Sequence, residues 1–141
     1  MRKLRIAVVG VGHIGSQHAK HASTLGTLVA VCDIKQDRAK SIAEQFGCTA
    51  YFSIDELLVR EENLDLIAIC TPNGLHAEHS IKALKAGCNV LCEKPMAITV
   101  HDCERMIHTA EETNRRLFIV KQNRFNPPVK AVKKGIDEGK L

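Results

Sequence analysis

Long apolar runs, runs of like charge and internal repeats are all missing from this 141-residue sequence, and each absence excludes a class of protein. Since no apolar stretch approaches the roughly 18 residues of a transmembrane helix, the sequence predicts no membrane span. The apolar stretch after the basic start ends at Gly10, which is too short for a secretory signal. The net charge of +4 is evenly spread, so we expect neither a nucleic-acid nor a membrane partner.

Cysteines in the paired spacing of zinc sites are also missing. The six cysteines are scattered and mostly in apolar surroundings, and Cys88 and Cys92 would share one face of a strand, a poor arrangement for a disulfide. We interpret all six as reduced thiols and expect a cytoplasmic protein. With 45% apolar and 26% charged residues, the composition is that of an ordinary globular domain.

The sequence does contain an alternation of short apolar strands and amphipathic helices from end to end. Apolar strands separated by helices predict a parallel sheet covered on both faces, which is a doubly wound α/β fold with three αβα layers. Right-handed crossovers bring the carboxyl end of every strand to one edge, where such sheets bind ligands. The predicted strands are residues 4–9, 27–32, 49–52, 64–70, 89–92 and 117–120.

The helices between these strands carry recognisable end signals. Gly47 is placed to end the second helix, whereas Ser53 and Thr99 are placed to cap the starts of two others. Two prolines begin the last helix. The apolar stripes predicted to face the core are Val100, Cys103, Ile107 and Ala110 on the helix after Thr99, and Val129, Val132 and Ile136 on the last helix.

The first strand is followed by Gly10-Val11-Gly12-His13-Ile14-Gly15, a G-x-G-x-x-G motif that opens a helix. Gly10 permits a tight turn, Gly12 lets the backbone approach a pyrophosphate, and Gly15 lets the helix and strand pack closely. Free amides at the helix N-terminus favour phosphate. We predict a Rossmann-type dinucleotide site with contacts from Gly10, Gly12, His13, Ile14 and Gly15; the alternative is a structural glycine-rich turn.

An acid ends the second strand, as a dinucleotide fingerprint requires, since Asp33 follows Gly15 by 18 residues. Asp33 is predicted to accept hydrogen bonds from the adenosine ribose and to repel a 2′-phosphate. No arginine follows immediately in Ile34-Lys35-Gln36. NAD is therefore favoured over NADP as the cofactor.

A polar segment follows the fourth strand and so belongs to the same predicted edge. Its short polar groups can reach a ribose, while its proline holds the loop. His76 is either a polar contact or an ordinary residue of a first helical turn. The predicted cofactor contacts are Thr71, Pro72, Asn73 and His76.

Histidines are frequent in the sequence but do not form a metal-site pattern. His76 and His79, three residues apart, lack a third ligand, so we predict no metal. The others fall at helix starts or on wet faces, where we expect only solvation and a backbone contact from His13. These are His13, His18, His21, His101 and His108.

The fifth strand ends abruptly in Glu93-Lys94-Pro95. By itself such a tripeptide is a polar turn closed by a proline. Its place at the ligand edge instead predicts that Lys94 points to the cofactor and that Pro95 fixes the turn, with a cis bond as one form. Glu93 either orients Lys94 or solvates the turn. The lysine pKa of about 10.4 must be lowered by neighbours before the amine works well as an acid or base at neutral pH.

Together these segments resemble the N-terminal half of the glucose–fructose oxidoreductase, inositol dehydrogenase and MocA family. The resemblance rests on GVGHIG, the strand-end Asp33, TPNGLHAEH at 71–79 and EKP at 93–95, in the family's order, and it covers essentially the whole chain. It implies an NAD-dependent dehydrogenase acting on a hydroxyl of a sugar, polyol or nucleotide sugar. It also implies that Glu93 and Lys94 contact the cofactor and that Lys94 is catalytic.

A narrower resemblance lies in residues 117–141, LFIVKQNRFNPPVKAVKKGIDEGKL. The segment looks like that of enzymes which oxidise the 3-hydroxyl of UDP-N-acetylglucosaminuronate in making lipopolysaccharide sugars. It implies substrate contacts from Gln122, Asn123 and Arg124 beside Lys94, and Arg124 could approach an anionic substrate or the cofactor. The alternative is a polar loop before a helix.

The family's second half carries the substrate pocket and completes proton transfer. We therefore interpret residues 1–141 as the dinucleotide-binding domain of a longer dehydrogenase, here without its C-terminal substrate and catalytic domain and by itself inactive. The alternative is a stand-alone NAD-binding regulatory or redox-sensing module. Family members usually assemble through the second domain, so the full-length protein is expected to be a homo-oligomer.

Overall fold

A computed structural model describes residues 2–140, which contain one parallel sheet and six α-helices. The strands are β1 (Arg5–Val9), β2 (Thr27–Cys32), β3 (Thr49–Tyr51), β4 (Leu66–Ile69), β5 (Asn89–Cys92) and β6 (Leu117–Ile119). The helices are α1 (His13–Leu25), α2 (Gln36–Phe46), α3 (Ile54–Arg60), α4 (His76–Lys85), α5 (Val100–Glu112) and α6 (Pro127–Asp137). Short 3₁₀ turns, Asn73–Leu75 and Gln122–Phe125, precede α4 and α6.

The strand order is β3-β2-β1-β4-β5-β6, and every pair is parallel. The chain returns to the centre of the sheet after β3, so the order reverses between β1 and β4. In doubly wound sheets this reversal opens a crevice at the carboxyl ends of the strands. The predicted fold class is confirmed. Strands β2 and β5 have the predicted bounds, β1, β3 and β6 are one residue shorter than predicted, and β4 is three residues shorter.

The core consists of two apolar layers, one on each face of the sheet. Alternate residues of β1 enter different layers: Ala7 and Val9 belong to the layer that contains Met106 of α5, while Ile6 and Val8 belong to the layer that contains Ala19 of α1. Because both faces are covered, the strands are apolar throughout, as the sequence pattern indicates.

The predicted helix ends are confirmed by the backbone and by capping contacts. Gly47 adopts a left-handed conformation, with φ of 65°, and ends α2. The Ser53 hydroxyl accepts the Asp55 amide at 3.2 Å and starts α3. The Thr99 hydroxyl accepts the Asp102 amide at 3.1 Å and starts α5.

The prediction for α5 places the buried apolar stripe on the wrong face of the helix. The side chains that pack inward include Met106 and Ala110, whereas Val100 is 76% exposed and Ile107 is 48% exposed. Helical spacing is found both for residues 100, 103, 107 and 110 and for residues 103, 106 and 110, so periodicity alone does not distinguish the two faces. The docking of α5 on the sheet selects the second.

The predicted buried face of α6 is also wrong for the part of the chain that the structure describes. Val129, Val132 and Ile136 are between 43% and 55% exposed, and Phe125 just before the helix is 71% exposed. An apolar stripe predicts that one face of a helix is buried, but it does not identify the residues that cover that face. Within residues 2–140, no helix has the length and apolarity needed to cross a membrane.

Candidate functional site

The predicted site residues meet at one edge of the sheet because each follows the carboxyl end of a strand. Backbone hydrogen bonds continue from the strands into this edge. The Gly10 amide donates to the Cys32 carbonyl at 2.7 Å, and the Glu93 amide donates to the Ile69 carbonyl at 2.9 Å. The loops after β1, β2, β4 and β5 are thereby held together at the crevice.

The glycine motif has no room for side chains at two of its positions. Gly10 has φ of +84°, and a Cβ on it would lie 2.7 Å from the carbonyl carbon and oxygen of Cys70. A Cβ on Gly15 would lie 1.8 Å from the Gly10 carbonyl oxygen. The motif therefore brings α1, β1 and the end of β4 together as predicted for a tight turn and close packing.

The start of α1 presents backbone amides to the crevice. Gly12 is the N-cap, it lies in extended conformation, and no side chain of the described chain caps the helix. The amides of the first helical turn point along the axis and carry the positive end of the helix dipole. This arrangement suits the pyrophosphate of a dinucleotide, whose predicted contacts include His13 and Ile14.

Asp33 is 7% exposed and its carboxylate is already well bonded. One oxygen accepts the Val11 amide at 3.0 Å, and the other accepts the Lys35 amide at 2.9 Å. The Arg38 guanidinium lies 3.3 Å from the first oxygen. A carboxylate offers about four acceptor positions, so one is left for a ribose hydroxyl. The predicted ribose contact fits this geometry.

Arg38 is a site residue that the sequence analysis missed. The three residues directly after Asp33 include no arginine, but Arg38 lies in the first turn of α2 and its side chain returns to the end of β2. Its Nη1 would be 3.7 Å from a Cβ built on Gly12. A helix that begins just after a strand brings its third residue back to the strand end, which is the signal that could have found Arg38.

His76 lies fully inside the fold, at 1% exposure. Its Nδ1 is 2.7 Å from the Pro95 carbonyl oxygen, and its Nε2 is 2.8 Å from the Thr71 carbonyl oxygen. Both ring nitrogens are thus occupied by backbone atoms of two neighbouring loops. His76 therefore acts as an internal tether between these loops rather than as an exposed polar contact or an ordinary first-turn residue.

The other residues of the loop after β4 lie at the crevice. Thr71 is half-buried, whereas Pro72 and Asn73 are exposed and available to a ligand. The Thr71 hydroxyl is 3.2 Å from His79 Nδ1. Burial lowers the pKa of His79, so its imidazole is neutral at neutral pH. Among residues 2–140 no three histidine, cysteine or acidic side chains come together as a metal site would require.

The turn after β5 is organised by Glu93, which is 7% exposed. One carboxylate oxygen is 2.8 Å from His18 Nε2, and the other accepts the Lys94 amide at 3.1 Å. The Lys94–Pro95 peptide bond is cis. Of the two roles left open for Glu93, the contacts favour orientation of the turn, because a carboxylate that only solvated it would be exposed.

His18 was expected to be merely solvated, and this expectation is wrong. Its side chain is 18% exposed and pairs with Glu93. His18 lies three residues after Gly15, which packs against the Gly10 carbonyl with no room for a side chain. Helical spacing from a sheet-facing glycine was the available signal.

Lys94 shares a cavity of about 330 Å³ with the segment after β6. The cavity is lined by Lys94, Val120, Lys121, Gln122, Asn123 and Arg124. The structure therefore brings the three predicted substrate contacts next to Lys94, although they lie about thirty residues away in the chain. Three cationic side chains around one cavity favour an anionic ligand. A larger cavity of about 680 Å³ lies between α5 and β6, and neither Lys94 nor the glycine motif lines it.

Comparison with known proteins shows the family to which the chain belongs. The family described as "Oxidoreductase family, NAD-binding Rossmann fold" matches residues 4–121. D-Glucoside 3-dehydrogenase of Escherichia coli K12 is 32% identical over 98% of this chain and 40% of its own length. The chain thus spans about two fifths of the length of such curated relatives.

Solved structures of oxidoreductases also share the fold of this chain. The WlbA dehydrogenase from Bordetella pertussis, in complex with NADH and UDP-GlcNAcA, superposes with a TM-score of 0.91 and is 35% identical, covering 98% of this chain and 43% of that one. UDP-N-acetylglucosamine 3-dehydrogenase GnnA from Acidithiobacillus ferrooxidans has a TM-score of 0.86 and 30% identity, covering 96% and 44%. With its glycine motif, strand-end acid and Glu-Lys-Pro turn at one edge, the chain belongs to the Gfo/Idh/MocA oxidoreductase family and contains its NAD-binding Rossmann fold.

Proposed function

We propose that the chain is the NAD-binding domain of a dehydrogenase that transfers a hydride between NAD and a hydroxyl of a sugar or nucleotide sugar. The observation that carries the proposal is the shared cavity of Lys94 and the segment after β6, at the same edge as the glycine motif. A candidate cofactor site and a polar, cationic cavity lie along the same edge, and a hydride transfer between cofactor and substrate needs the two reactants to be bound side by side.

In this proposal the chain's own residues bind and orient the two reactants. The amides of α1 hold the pyrophosphate, Asp33 holds the adenosine ribose, and the loop from Thr71 to Asn73 flanks the second ribose. NAD, when bound, supplies the hydride acceptor or donor. Lys94 hydrogen-bonds the reacting hydroxyl and assists its proton transfer.

For the substrate we propose an anionic nucleotide sugar, oxidised at the 3-hydroxyl. Lys94, Lys121 and Arg124 surround the cavity, so a uronate or a diphosphate would be attracted to it. The Bordetella relative was solved with UDP-GlcNAcA, and the Acidithiobacillus relative is a UDP-N-acetylglucosamine 3-dehydrogenase. UDP-N-acetylglucosaminuronate is our first candidate, in a cytoplasmic pathway to lipopolysaccharide sugars.

We further propose that the complete protein is longer and that residues 1–141 are its dinucleotide-binding domain. The chain matches only 40% of the E. coli relative, and the apolar face of α6 is exposed. Lys94 is a single acid–base group, so further groups are needed to complete proton transfer. We expect a second domain to supply these groups and to mediate homo-oligomer formation.

The proposal is tested at two levels. NADH titrated into the chain should bind with quenching or enhancement of nicotinamide fluorescence. The complete protein, given NAD and a panel of UDP-sugars, should form NADH with at least one acidic member. NADH binding without turnover of any sugar would contradict the proposed dehydrogenase activity and favour a regulatory module.

Lys94→Ala in the complete protein separates chemistry from binding. We expect a loss of about 10²-fold or more in kcat, the usual contribution of a positioned acid–base group, with little change in the Kd of NADH. Lys121→Ala, at the rim of the same cavity, is the matched control and should mainly raise the KM of an anionic sugar. Unchanged kcat in Lys94→Ala would place the chemistry elsewhere.

A further inference from the structure

His18 lies in the second turn of α1, the helix that begins at the glycine motif, yet its ring contacts the turn that carries Lys94. The distance from His18 Nε2 to Glu93 Oε1 is 2.8 Å, and the two side chains are 18% and 8% exposed. In a hydrogen bond between an imidazole nitrogen and a carboxylate oxygen the N–H is the donor, so Nε2 donates the hydrogen bond to Oε1. The contact joins two segments that are 75 residues apart in the chain.

Glu93 is held at both its backbone and its side chain. Its amide donates to the Ile69 carbonyl at 2.9 Å, which extends the pairing of β4 and β5. Its second carboxylate oxygen accepts the Lys94 amide at 3.1 Å. A buried carboxylate is stable only when hydrogen bonds replace its lost hydration, so removing His18 would leave Glu93 short of a donor and free to turn toward water.

The far side of the same turn is held by a different contact. His76 joins the Pro95 carbonyl, at 2.7 Å, to the Thr71 carbonyl, at 2.8 Å. The Lys94 side chain between these two attachments is exposed and forms no ion pair within the described residues. These backbone contacts, rather than any ion pair of the amine, therefore fix the position of Lys94 in the turn.

We propose that His18 is a positioning residue for Lys94: it holds the Glu93 carboxylate against the Lys94 amide and so couples the phosphate-binding helix α1 to the turn that carries the lysine. This inference rests on the proposed function, because it matters only if Lys94 faces the nicotinamide end of a bound cofactor. His18 itself need not touch cofactor or substrate.

The test compares His18→Leu, which cannot donate, with His18→Gln, whose amide nitrogen can occupy the place of Nε2. His21→Leu is the matched control, since His21 is an exposed histidine of the same helix. In the ligand-free chain, NMR measures hydrogen exchange of the Lys94 amide. We expect roughly tenfold faster exchange in His18→Leu, the effect of weakening one hydrogen bond to a charged group, and near-normal exchange in His18→Gln and His21→Leu.

Ligand titrations supply a second measurement, because a purely structural role of His18 would not affect the binding of NADH and ADP differently. The loss of His18 should displace the whole turn, including the predicted cofactor contact Glu93, whereas Lys94→Ala leaves the turn in place. His18→Leu should therefore lower the affinity for NADH several-fold while leaving that for ADP, which lacks the nicotinamide end, unchanged. Equal losses for NADH and ADP, or equal Lys94 exchange in all variants, would overturn the inference. A wild-type chain that binds no NADH would instead refute the proposed function, and the exchange rates would still decide whether His18 positions the turn.

Discussion

At the scale of single residues, the candidate site has glycines with no room for a side chain and a carboxylate that already has hydrogen-bond partners. Gly15 lies against the Gly10 carbonyl so closely that a methyl group would overlap it. Asp33 accepts three donors before any ribose arrives. Substitution of Gly15 should therefore change the stability of the fold, whereas substitution of Asp33 should change the choice of cofactor.

Gly15→Ala is expected to destabilise the fold strongly, because its Cβ would lie 1.8 Å from the Gly10 carbonyl oxygen, which is backbone and cannot rotate away. We expect a loss of about 3 kcal/mol or more in the free energy of unfolding. Urea denaturation followed by circular dichroism measures it. Gly74→Ala, where a Cβ would meet no atom within 4 Å, is the control and should change stability by less than about 0.5 kcal/mol. Equal effects would contradict the steric argument.

Asp33→Ala should weaken NAD binding and reduce discrimination against NADP. The variant removes an acceptor for the ribose and also frees Arg38, which lies 3.3 Å from the carboxylate, to attract a 2′-phosphate. We expect a loss of roughly tenfold in NADH affinity, the effect of one hydrogen bond to a charged group. Parallel NADH and NADPH titrations give the ratio. In the double variant Asp33→Ala/Arg38→Ala the gain for NADPH should disappear; an unchanged ratio in Asp33→Ala would refute the role of Asp33.

At the scale of elements, each strand and helix places its end residue at a defined position of the crevice. Helix α5 illustrates how capping and packing contribute separately. Thr99 marks its start from local chemistry, whereas the buried Met106 is selected by the sheet beneath. The start of a helix can thus be correct in a prediction while its buried face is not.

Thr99→Ala should destabilise the protein by about 1 kcal/mol, the usual effect of losing an N-cap. The hydroxyl accepts the Asp102 amide at 3.1 Å and donates to the Asp102 carboxylate at 2.8 Å. The matched control is Thr24→Ala on α1, where an exposed hydroxyl donates to the Lys20 carbonyl four residues earlier and alanine is the better helix former. Urea unfolding of both variants tests this, and a similar loss at Thr24 would rule out capping as the cause.

At the scale of the whole molecule, the sheet buries several thiols at its centre and near the site edge. Burial raises the pKa of Cys32 to about 12 and that of Cys92 to about 11, from an ordinary value of 9.0. Burial also raises the pKa of Cys70. These cysteines are core side chains whose thiols stay protonated at neutral pH, in agreement with the interpretation of reduced, unpaired cysteines.

The three buried thiols, Cys32, Cys70 and Cys92, should react much more slowly in the native chain than in urea. Labelling with iodoacetamide at neutral pH, resolved by mass spectrometry, measures the rate at each cysteine, and the unfolded chain is the control. Because the folded state raises these pKa values, the thiols contribute stability that is complete below about pH 9 and is lost as the pH rises toward 11–12. Fast native labelling of Cys32 or Cys92 would contradict this burial.

The sequence by itself determined the parallel α/β fold, the glycine motif, the strand-end Asp33 and the helix starts at Ser53 and Thr99. Each of these depends on a period or a spacing within about twenty residues, where local propensity and hydrogen bonding dominate. Only the tertiary structure decided the pairing of His18 with Glu93, the tether at His76, the return of Arg38 and the buried face of α5. These depend on how elements distant in sequence pack, and a buried polar group takes whichever partner that packing brings within hydrogen-bond distance.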